Sequence, residues 1–217
     1  MKLYIIGAGG HAKVIADAAL SSEKWINITF VDTKKNQEDV LSNFSSRKAS
    51  INFEKTELVD SSLDKEADQV IIGIGSGETR ERIHSNLKEN NFKLATVIHP
   101  SSVISQNAVI EEGTYIGPHA VINSNAHIKK SVIINTASII EHDCIVNNFS
   151  QIAPNACLAG NVQVGKTSFI GGSSFINENL KIGSNIVIGS GSVVLKDILK
   201  PGLYAGHPAK FIRKVSN

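Results

Sequence analysis

The chain has 217 residues, of which 41% are hydrophobic but only 6% aromatic, so its apolar weight lies in Ile, Val, Leu and Ala. The formal net charge of +2 excludes the strong electrostatic field of a nucleic-acid-binding protein. No apolar run reaches the roughly eighteen residues of a transmembrane helix, and the N-terminal apolar stretch is too short for a signal peptide. Cys144 and Cys157 fit no zinc or redox spacing. We therefore expect a cytoplasmic protein without disulfides.

The N-terminal part alternates apolar runs with glycine turns and helix-forming segments. Strands are predicted at 3–6, 28–31, 70–74 and 94–98, helices at 11–19 and through 80–87, and a polar stretch without regular structure at 33–68. Strands that alternate with helices indicate a small parallel sheet, a Rossmann-like α/β domain. Ligands on such sheets bind beyond the carboxyl ends of the strands.

The turn after the first strand has the pattern Gly7-x-Gly9-x-x-Ala12, and Asp32 follows the second strand. This pattern is similar to a dinucleotide-binding fingerprint, in which phosphates lie at a helix N-terminus. Taken alone it would indicate an NAD-dependent enzyme. The N-terminal part is too short, however, to hold a separate catalytic domain as well.

The C-terminal part repeats with a period of six residues. Every sixth residue from 116 to 194 is aliphatic: Ile116, Ile122, Ile128, Ile134, Ile140, Val146, Ile152, Leu158, Val164, Ile170, Ile176, Ile182, Ile188 and Val194. Small or apolar side chains occur two positions before many of these residues, and Gly or Asn is expected to supply the turns. Val97, Val103 and Val109 are predicted to extend the series after a one-residue slip. The repeat indicates a parallel β-helix built of hexapeptides, three to a coil.

That coil length stacks residue 160 on residue 142. His142 follows the inward-pointing Ile140 by two residues, and Gly160 is its stacking neighbour. A histidine above a glycine predicts an open notch in which an acyl group could lie. A neutral imidazole with an ordinary pKa near ~6.5 suits a general base at physiological pH.

Three segments resemble a known family: GAGGHAKV at 7–14, INTASIIEHDCIV at 134–146 and AGHPAKFIRK at 205–214. They are similar to the bacterial hexapeptide acyltransferases with a small N-terminal sugar-nucleotide domain, typified by bacillosamine-type N-acetyltransferases and sialic acid O-acetyltransferases. The resemblance implies an acceptor-binding domain at 1–96. It also implies a left-handed β-helix with a C-terminal tail at 97–217, and a homotrimer that binds acetyl-CoA between neighbouring subunits.

The resemblance assigns roles to residues in both parts. It implies that His142 is the catalytic base and that Asp143 supports it, although Glu141, on the other side, is a competing carboxylate. Cofactor-binding residues implied for acetyl-CoA are Gln151, Gly160, Gly172, Ser190, Lys210 and Arg213. Residues implied for the sugar nucleotide are Gly9, Gly10 and His11 at the phosphates and sugar, Asp32 and Thr33 at the nucleoside, and Gly75 at a second turn.

The expected function is acetyl-CoA-dependent N-acetylation of a nucleotide-linked amino sugar in surface glycan biosynthesis. Alternatives are O-acetylation of sialic acid or another sugar, and a non-catalytic scaffold that binds sugar nucleotides. No metal is expected, because His119, His127 and His142 occupy different positions in their hexapeptides and do not stack.

Overall fold

The computed structural model describes residues 1–25, 27–34, 50–55 and 68–215. The chain folds into two compact units, Met1–Pro100 and Ser101–Asn217. Among the described residues, no helix has the length and apolar character needed to cross a bilayer.

The first unit is a parallel α/β sheet, with two helices among the residues that the structure describes. Its elements are β1 (Lys2–Ile6), α1 (Gly10–Ser21), β2 (Asn27–Val31), β3 (Ser50–Glu54), β4 (Gln69–Ile72), α2 (Gly77–Glu89) and β5 (Val97–Ile98). The sheet order is β3-β2-β1-β4, and all three pairings are parallel. All residues of β1, β2 and β4 except the first of each strand are buried. Because these strands are parallel, the turns that follow them lie at one edge of the sheet. The predicted Rossmann-like class is confirmed.

Three local predictions in this unit were wrong. Strand β3 lies within the stretch expected to be polar and irregular, because its alternating SINFE pattern is half-exposed at the sheet edge and is only weakly apolar. The strand predicted at 70–74 ends at Ile72, and the one at 94–98 is reduced to a single bridge at Leu94 followed by β5. The rest of the predicted polar stretch, at 35–49 and 56–67, lies outside the described residues.

The second unit is a left-handed parallel β-helix, as predicted. Its strands are β6 (Val103–Ile104), β7 (Val109–Ile110), β8 (Tyr115–Ile116), β9 (Val121–Ile122), β10 (His127–Ile128), β11 (Ile133–Ile134), β12 (Ile139–Ile140), β13 (Ile145–Val146), β14 (Gln151–Ile152), β15 (Cys157–Leu158), β16 (Gln163–Val164), β17 (Phe169–Ile170), β18 (Phe175–Ile176), β19 (Lys181–Ile182), β20 (Ile186–Ile188), β21 (Val193–Val194), β22 (Gly202–Gly206) and β23 (Ala209–Arg213).

Every third strand belongs to the same sheet, which gives the β-helix three faces. Face 1 contains β7, β10, β13, β16 and β19. Face 2 contains β8, β11, β14, β17, β20, β22 and β23. Face 3 contains β6, β9, β12, β15, β18 and β21. The chain passes from face 3 to face 1 at the 3–1 corner, and from face 2 to face 3 at the 2–3 corner.

The predicted aliphatic column is the core of this unit. All fourteen residues of the series from Ile116 to Val194 are at most 2% exposed. The small residues beside them, such as Ser150 and Ser168, are buried as well, and their hydroxyls donate to the carbonyls of Gly165 and Gly183. The buried polar groups therefore have partners, and the column needs no aromatic rings.

The one-residue slip predicted at the start of the repeat was wrong. Val103 and Val109 point outward and are 63% and 52% exposed. Ile104 pairs with Ile122, and Ile110 with Ile128, so the series continues in register. A shift of one residue exchanges the inner and outer sides of a strand, and two adjacent aliphatic residues concealed which one points inward.

The corners depend on a left-handed residue three positions after each inward aliphatic residue. This position has φ between +49° at Ser131 and +75° at Gly113, and Asn is its most frequent occupant. Glycines directly after the aliphatic residue have another purpose: a Cβ on Gly165 would collide with the backbone of Gly183, one coil later. Asn therefore supplies the predicted turn conformation at more corners than any other residue, and these glycines permit close stacking.

Candidate functional site

His142 and Asp143 form a hydrogen-bonded pair at the 3–1 corner. The Nδ1 atom of His142 lies 2.8 Å from Oδ2 of Asp143, and the two side chains are 62% and 49% exposed. Neighbouring side chains of an extended strand point to opposite sides, but Asp143 has φ +60°, which turns its side chain alongside the ring. Of the two carboxylates considered from the sequence, Asp143 is the one that contacts the imidazole.

The carboxylate of Asp143 has a second partner that the sequence analysis missed. Its Oδ1 accepts a hydrogen bond from Nδ2 of Asn125 at 3.1 Å. These bonds, the one to His142 first and the one to Asn125 second, hold the pKa of Asp143 below its ordinary value. An ionised carboxylate can only accept, so the tautomer of the neutral His142 ring that fits this contact has its proton on Nδ1 and its lone pair on Nε2.

Gly160 stacks on His142 as the coil length predicts, but the space between them is not an open notch. A Cβ on Gly160 would lie 2.6 Å from both Cε1 and Nε2 of the ring. The imidazole itself fills the space that a side chain would need. Glycine at 160 therefore allows the ring to lie across the corner.

The two cysteines near this corner are poor nucleophiles at neutral pH. The buried Cys144 thiol donates to the carbonyl of Ala159, and burial raises its pKa to about 11. Burial also raises the pKa of Cys157, with a smaller contribution from the charge of Glu141. Since the thiolate is the reactive form, neither thiol is activated as a nucleophile.

The predicted cofactor-binding residues do not gather around His142 within one chain. Gln151 lies on face 2, between Ile133 and Phe169. Gly172 and Ser190 stack at the 2–3 corner, where a Cβ on Gly172 would lie 3.1 Å from the carbonyl oxygen of Pro154. Lys210 and Arg213 lie on β23, at the edge of face 2. Gly160 alone shares the corner of the histidine.

The predicted acceptor residues of the first unit lie at the carboxyl edge of its sheet. Gly9 caps α1 and Gly10 begins it, and a Cβ on either would meet nothing within 4 Å. The helix N-terminus, with its unsatisfied N–H groups, is therefore accessible to an anion.

Asp32 connects two of the turns at this edge. Its Oδ2 accepts from the amide of Ala8 at 2.9 Å, and its Oδ1 from the amide of Lys34 at 2.8 Å. A cavity of about 560 Å³ begins beside Asp32 and Thr33, with apolar walls that include Ile74. Its lining mixes apolar side chains with polar and charged ones such as Asp32 and Arg82, a combination found in small-molecule sites.

A buried cation shapes the other side of this edge. Arg80 is 1% exposed, and its Nη1 donates to the carbonyl oxygens of Ile74 and Gly75 at 3.0 and 2.6 Å. Burial, and then the charge of Arg80, lower the pKa of His11 to about 4. His11 is therefore neutral at pH 7. The signal for Arg80 was its position on the apolar face of α2 that also carries Ile83 and Leu87.

Within the part of the chain that the structure describes, no three His, Cys, Asp or Glu side chains are grouped so that they could hold a metal ion. His127, one of the histidines considered for zinc, has its Nε2 2.7 Å from Oε1 of Glu111 on face 1.

Comparison with known proteins identifies relatives of both units. Residues 2–87 match the family model of the PglD N-terminal domain. The acetyltransferase domain of PglB from Neisseria gonorrhoeae FA1090, solved with acetyl coenzyme A, is 34% identical with a TM-score of 0.88, and the match covers 97% of this chain and 98% of that one.

Two further structures match over the same length. A histidine variant of perosamine N-acetyltransferase from Caulobacter crescentus, solved with CoA and GDP-perosamine, is 27% identical with a TM-score of 0.86, covering 98% of this chain and 97% of that one. WeeI from Acinetobacter baumannii AYE is 22% identical with a TM-score of 0.84, covering 98% and 100%, and shares the fold.

The buried, neutral His11 predicts a pH-dependent stability of the first unit. Between the ordinary histidine pKa near ~6.5 and the folded value of about 4, the unfolded chain binds one more proton than the folded chain. Stability should therefore fall as the pH falls from 6.5 to 4, with a slope approaching about 1.4 kcal/mol per pH unit. We expect urea unfolding to show this loss of stability between pH 6.5 and 4 in wild type, but not in His11→Gln or His11→Asn. Equal slopes in all three proteins would contradict the assignment.

Proposed function

Because the chain belongs to the bacterial sugar N-acetyltransferases of the hexapeptide-repeat family, we propose that it acetylates the amino group of a nucleotide-linked amino sugar in surface glycan biosynthesis. The enzyme is an acetyl-CoA-dependent sugar acetyltransferase. Beyond this activity, we propose that the acceptor group is an amine, that the sugar is linked to a nucleotide, and that a histidine is the general base. The observation that carries it is the exposed His142, whose Nδ1 is held by Asp143.

The first unit supports a nucleotide-linked acceptor. Phosphates suit the accessible N-terminus of α1 at Gly9 and Gly10, and a nucleoside suits the cavity beside Asp32 and Thr33. His11 would contribute a neutral hydrogen-bonding group near the sugar, and Gly75 the second turn, which Arg80 fixes. The related enzyme from Caulobacter crescentus holds GDP-perosamine, a nucleotide-linked sugar.

In the proposed reaction, the amine of the sugar attacks the thioester carbonyl, the C–N bond forms and the C–S bond breaks. Nε2 of His142 accepts the proton that the amine loses and returns it to the departing sulfur. Asp143 holds the ring in the tautomer with a free Nε2 and stabilises the imidazolium while it carries the proton. Backbone N–H groups would stabilise the oxyanion. No covalent enzyme intermediate is needed, consistent with the raised pKa of Cys144.

Acetyl-CoA supplies the acetyl group as a thioester. Gly172 carries no side chain between its backbone and an extended pantetheine arm, and Gly160 would meet the arm beside the ring of His142. Gln151 and Ser190 offer hydrogen-bonding groups, and Lys210 and Arg213 offer positive charge to the CoA phosphates. The chemical character of these residues fits acetyl-CoA. Their separation on two corners and one face means that one chain alone does not surround it.

We therefore propose a homotrimer with active sites between subunits. Face 3 lies between the 2–3 corner of Gly172 and the 3–1 corner of His142. The outward residues of that face are apolar over five successive coils: Val121, Ile139, Cys157, Phe175 and Val193. The outward residues of face 1, by contrast, are mixed: Val109 and Ile145 are apolar, whereas His127, Gln163 and Lys181 are polar or charged. An apolar stripe of this length is suited to burial against another copy of the chain.

The acceptor and the base can be tested together. Purified enzyme should release CoA thiol from acetyl-CoA with at least one UDP-, GDP- or dTDP-linked amino sugar, and much less with free sialic acid. His142→Ala should lower kcat by about 10²–10⁴-fold, because the amine then lacks a base. His127→Ala, a histidine on face 1, is the matched control and should keep wild-type turnover. Preferred turnover of sialic acid would favour O-acetylation instead.

Gly160→Ala should reduce kcat while leaving the fold intact. The new methyl group would lie where the imidazole now rests and would push the exposed ring aside. We expect at least about a tenfold loss of kcat, since small displacements of a catalytic group are costly. The thermal midpoint should stay close to wild type because the ring can move into solvent. Unchanged kinetics would show that the contact between the ring and Gly160 has no catalytic importance.

The subunit interface can be tested by sedimentation. Wild type should sediment at three times the chain mass of 23.3 kDa. Phe175→Lys places a charge in the apolar stripe of face 3 and should yield smaller species with loss of activity. Lys181→Ala on face 1 should remain trimeric. A monomeric and fully active wild type would refute a site shared between subunits.

A further inference from the structure

We propose that Asn125 is a positioning residue for the catalytic pair, acting through Asp143. Its side-chain amide holds one oxygen of the carboxylate so that the other faces the imidazole of His142. The inference rests on the proposed function, in which His142 is the base, and assigns a role to a residue in a different coil of the β-helix.

The backbone of the corner brings Asn125 and Asp143 together. The two residues are 18 positions apart, one full coil, and both are left-handed, with φ +59° and +60°. The amide of Asp143 also donates to the carbonyl of Ser124 at 3.0 Å, which ties the two coils directly beside the side-chain contact. Both side chains therefore leave the corner in the same direction.

Each oxygen of the Asp143 carboxylate takes part in one of the two hydrogen bonds. Nδ2 of Asn125 donates to Oδ1 at 3.1 Å, and Nδ1 of His142 lies 2.8 Å from Oδ2. Rotation about the terminal bond of an Asp side chain is soft, and Asp143 is 49% exposed, so water competes for both oxygens. A fixed donor on Oδ1 restricts that rotation and keeps Oδ2 directed at Nδ1.

Amide contacts between coils recur in later coils of the same corner and at the 2–3 corner, where they join neutral groups. Asn161 donates to Asn179 at 3.0 Å, and Asn155 donates to Ser173 at 3.2 Å. At Asn125 the acceptor is instead the charged carboxylate that contacts the histidine. Elsewhere such a contact only joins successive coils. At Asn125 it also orients the carboxylate beside His142, and it is the stronger contact because its acceptor is charged.

The consequence lies in the tautomer of His142. With Oδ2 fixed, the proton of the neutral ring stays on Nδ1, and Nε2 stays available to accept the proton of the amine. Without Asn125, the carboxylate can turn away, and the ring can carry its proton on Nε2, where it cannot act as a base.

The first test measures this tautomer in the full-length protein without any substrate. In ¹⁵N-histidine-labelled wild type, assigned with His142→Ala, the Nδ1–H form of His142 should dominate at neutral pH. Asn125→Ala should at least double the population of the Nε2–H form. Asn185→Ala is the matched control: Asn185 has φ +57° and a side-chain contact to Thr167 one coil earlier, at a corner without predicted site residues. An unchanged tautomer in Asn125→Ala overturns the proposal.

The second test separates positioning from stability through the kinetics. Asn125→Ala should lower kcat about fivefold, and the isosteric Asn125→Asp more than about tenfold, because it repels Asp143 instead of donating to it. KM for acetyl-CoA should stay within about twofold of wild type. If both variants keep the kcat of Asn185→Ala, Asn125 has no positioning role. The tautomer measurement needs no acceptor, so it decides the role of Asn125 independently of the acceptor screen.

Discussion

The structure of the second unit depends on burying one aliphatic residue in every six. Removing these side chains from water stabilises by roughly 25 cal/mol per Å² of apolar surface, and all fourteen of them are at most 2% exposed. Their burial fixes the length of a coil at 18 residues, because inward residues must lie above one another. Every other position in the repeat is thereby assigned a neighbour in the coil before and after it. Two residues far apart in sequence, such as His142 and Gly160, become a permanent contact.

The left-handed conformation at the 3–1 corner brings the side chains of the candidate site together. A strand would separate the side chains of adjacent residues, whereas the positive φ of Asp143 brings its carboxylate to the ring of His142. The pair is largely exposed, and hydrogen bonds between exposed charged groups contribute little to folding stability. In the proposed mechanism, the contribution of Asp143 is therefore to orient the ring of His142 and to place a negative charge beside it. The stability that holds it in place comes from the column beneath, through Ile140 and Val146.

Much of this arrangement could be predicted from the sequence, because periodicity and chemistry are local signals. The column, the coil length, the stacking of His142 on Gly160 and the parallel first sheet follow from spacing and composition. The directions of the side chains at the corner could not be predicted from periodicity or composition. The position of the ring over Gly160, the choice of Asp143 over Glu141 and the donation from Asn125 depend on a backbone angle and on a contact between coils. Strand β3 was missed because its half-exposed edge is only weakly apolar.

The two histidines of the proposed mechanism show how environment separates roles. Burial, and then the charge of Arg80, lower the pKa of His11 to about 4, so this ring is neutral near pH 7. Such a ring can orient a phosphate-linked sugar by hydrogen bonds but cannot take up a proton. His142 is exposed and lies against the carboxylate of Asp143, whose negative charge would stabilise the imidazolium formed when the ring accepts a proton. In the proposed mechanism, two rings of identical chemistry thus divide recognition and proton transfer, because one is buried beside Arg80 and the other is exposed beside Asp143.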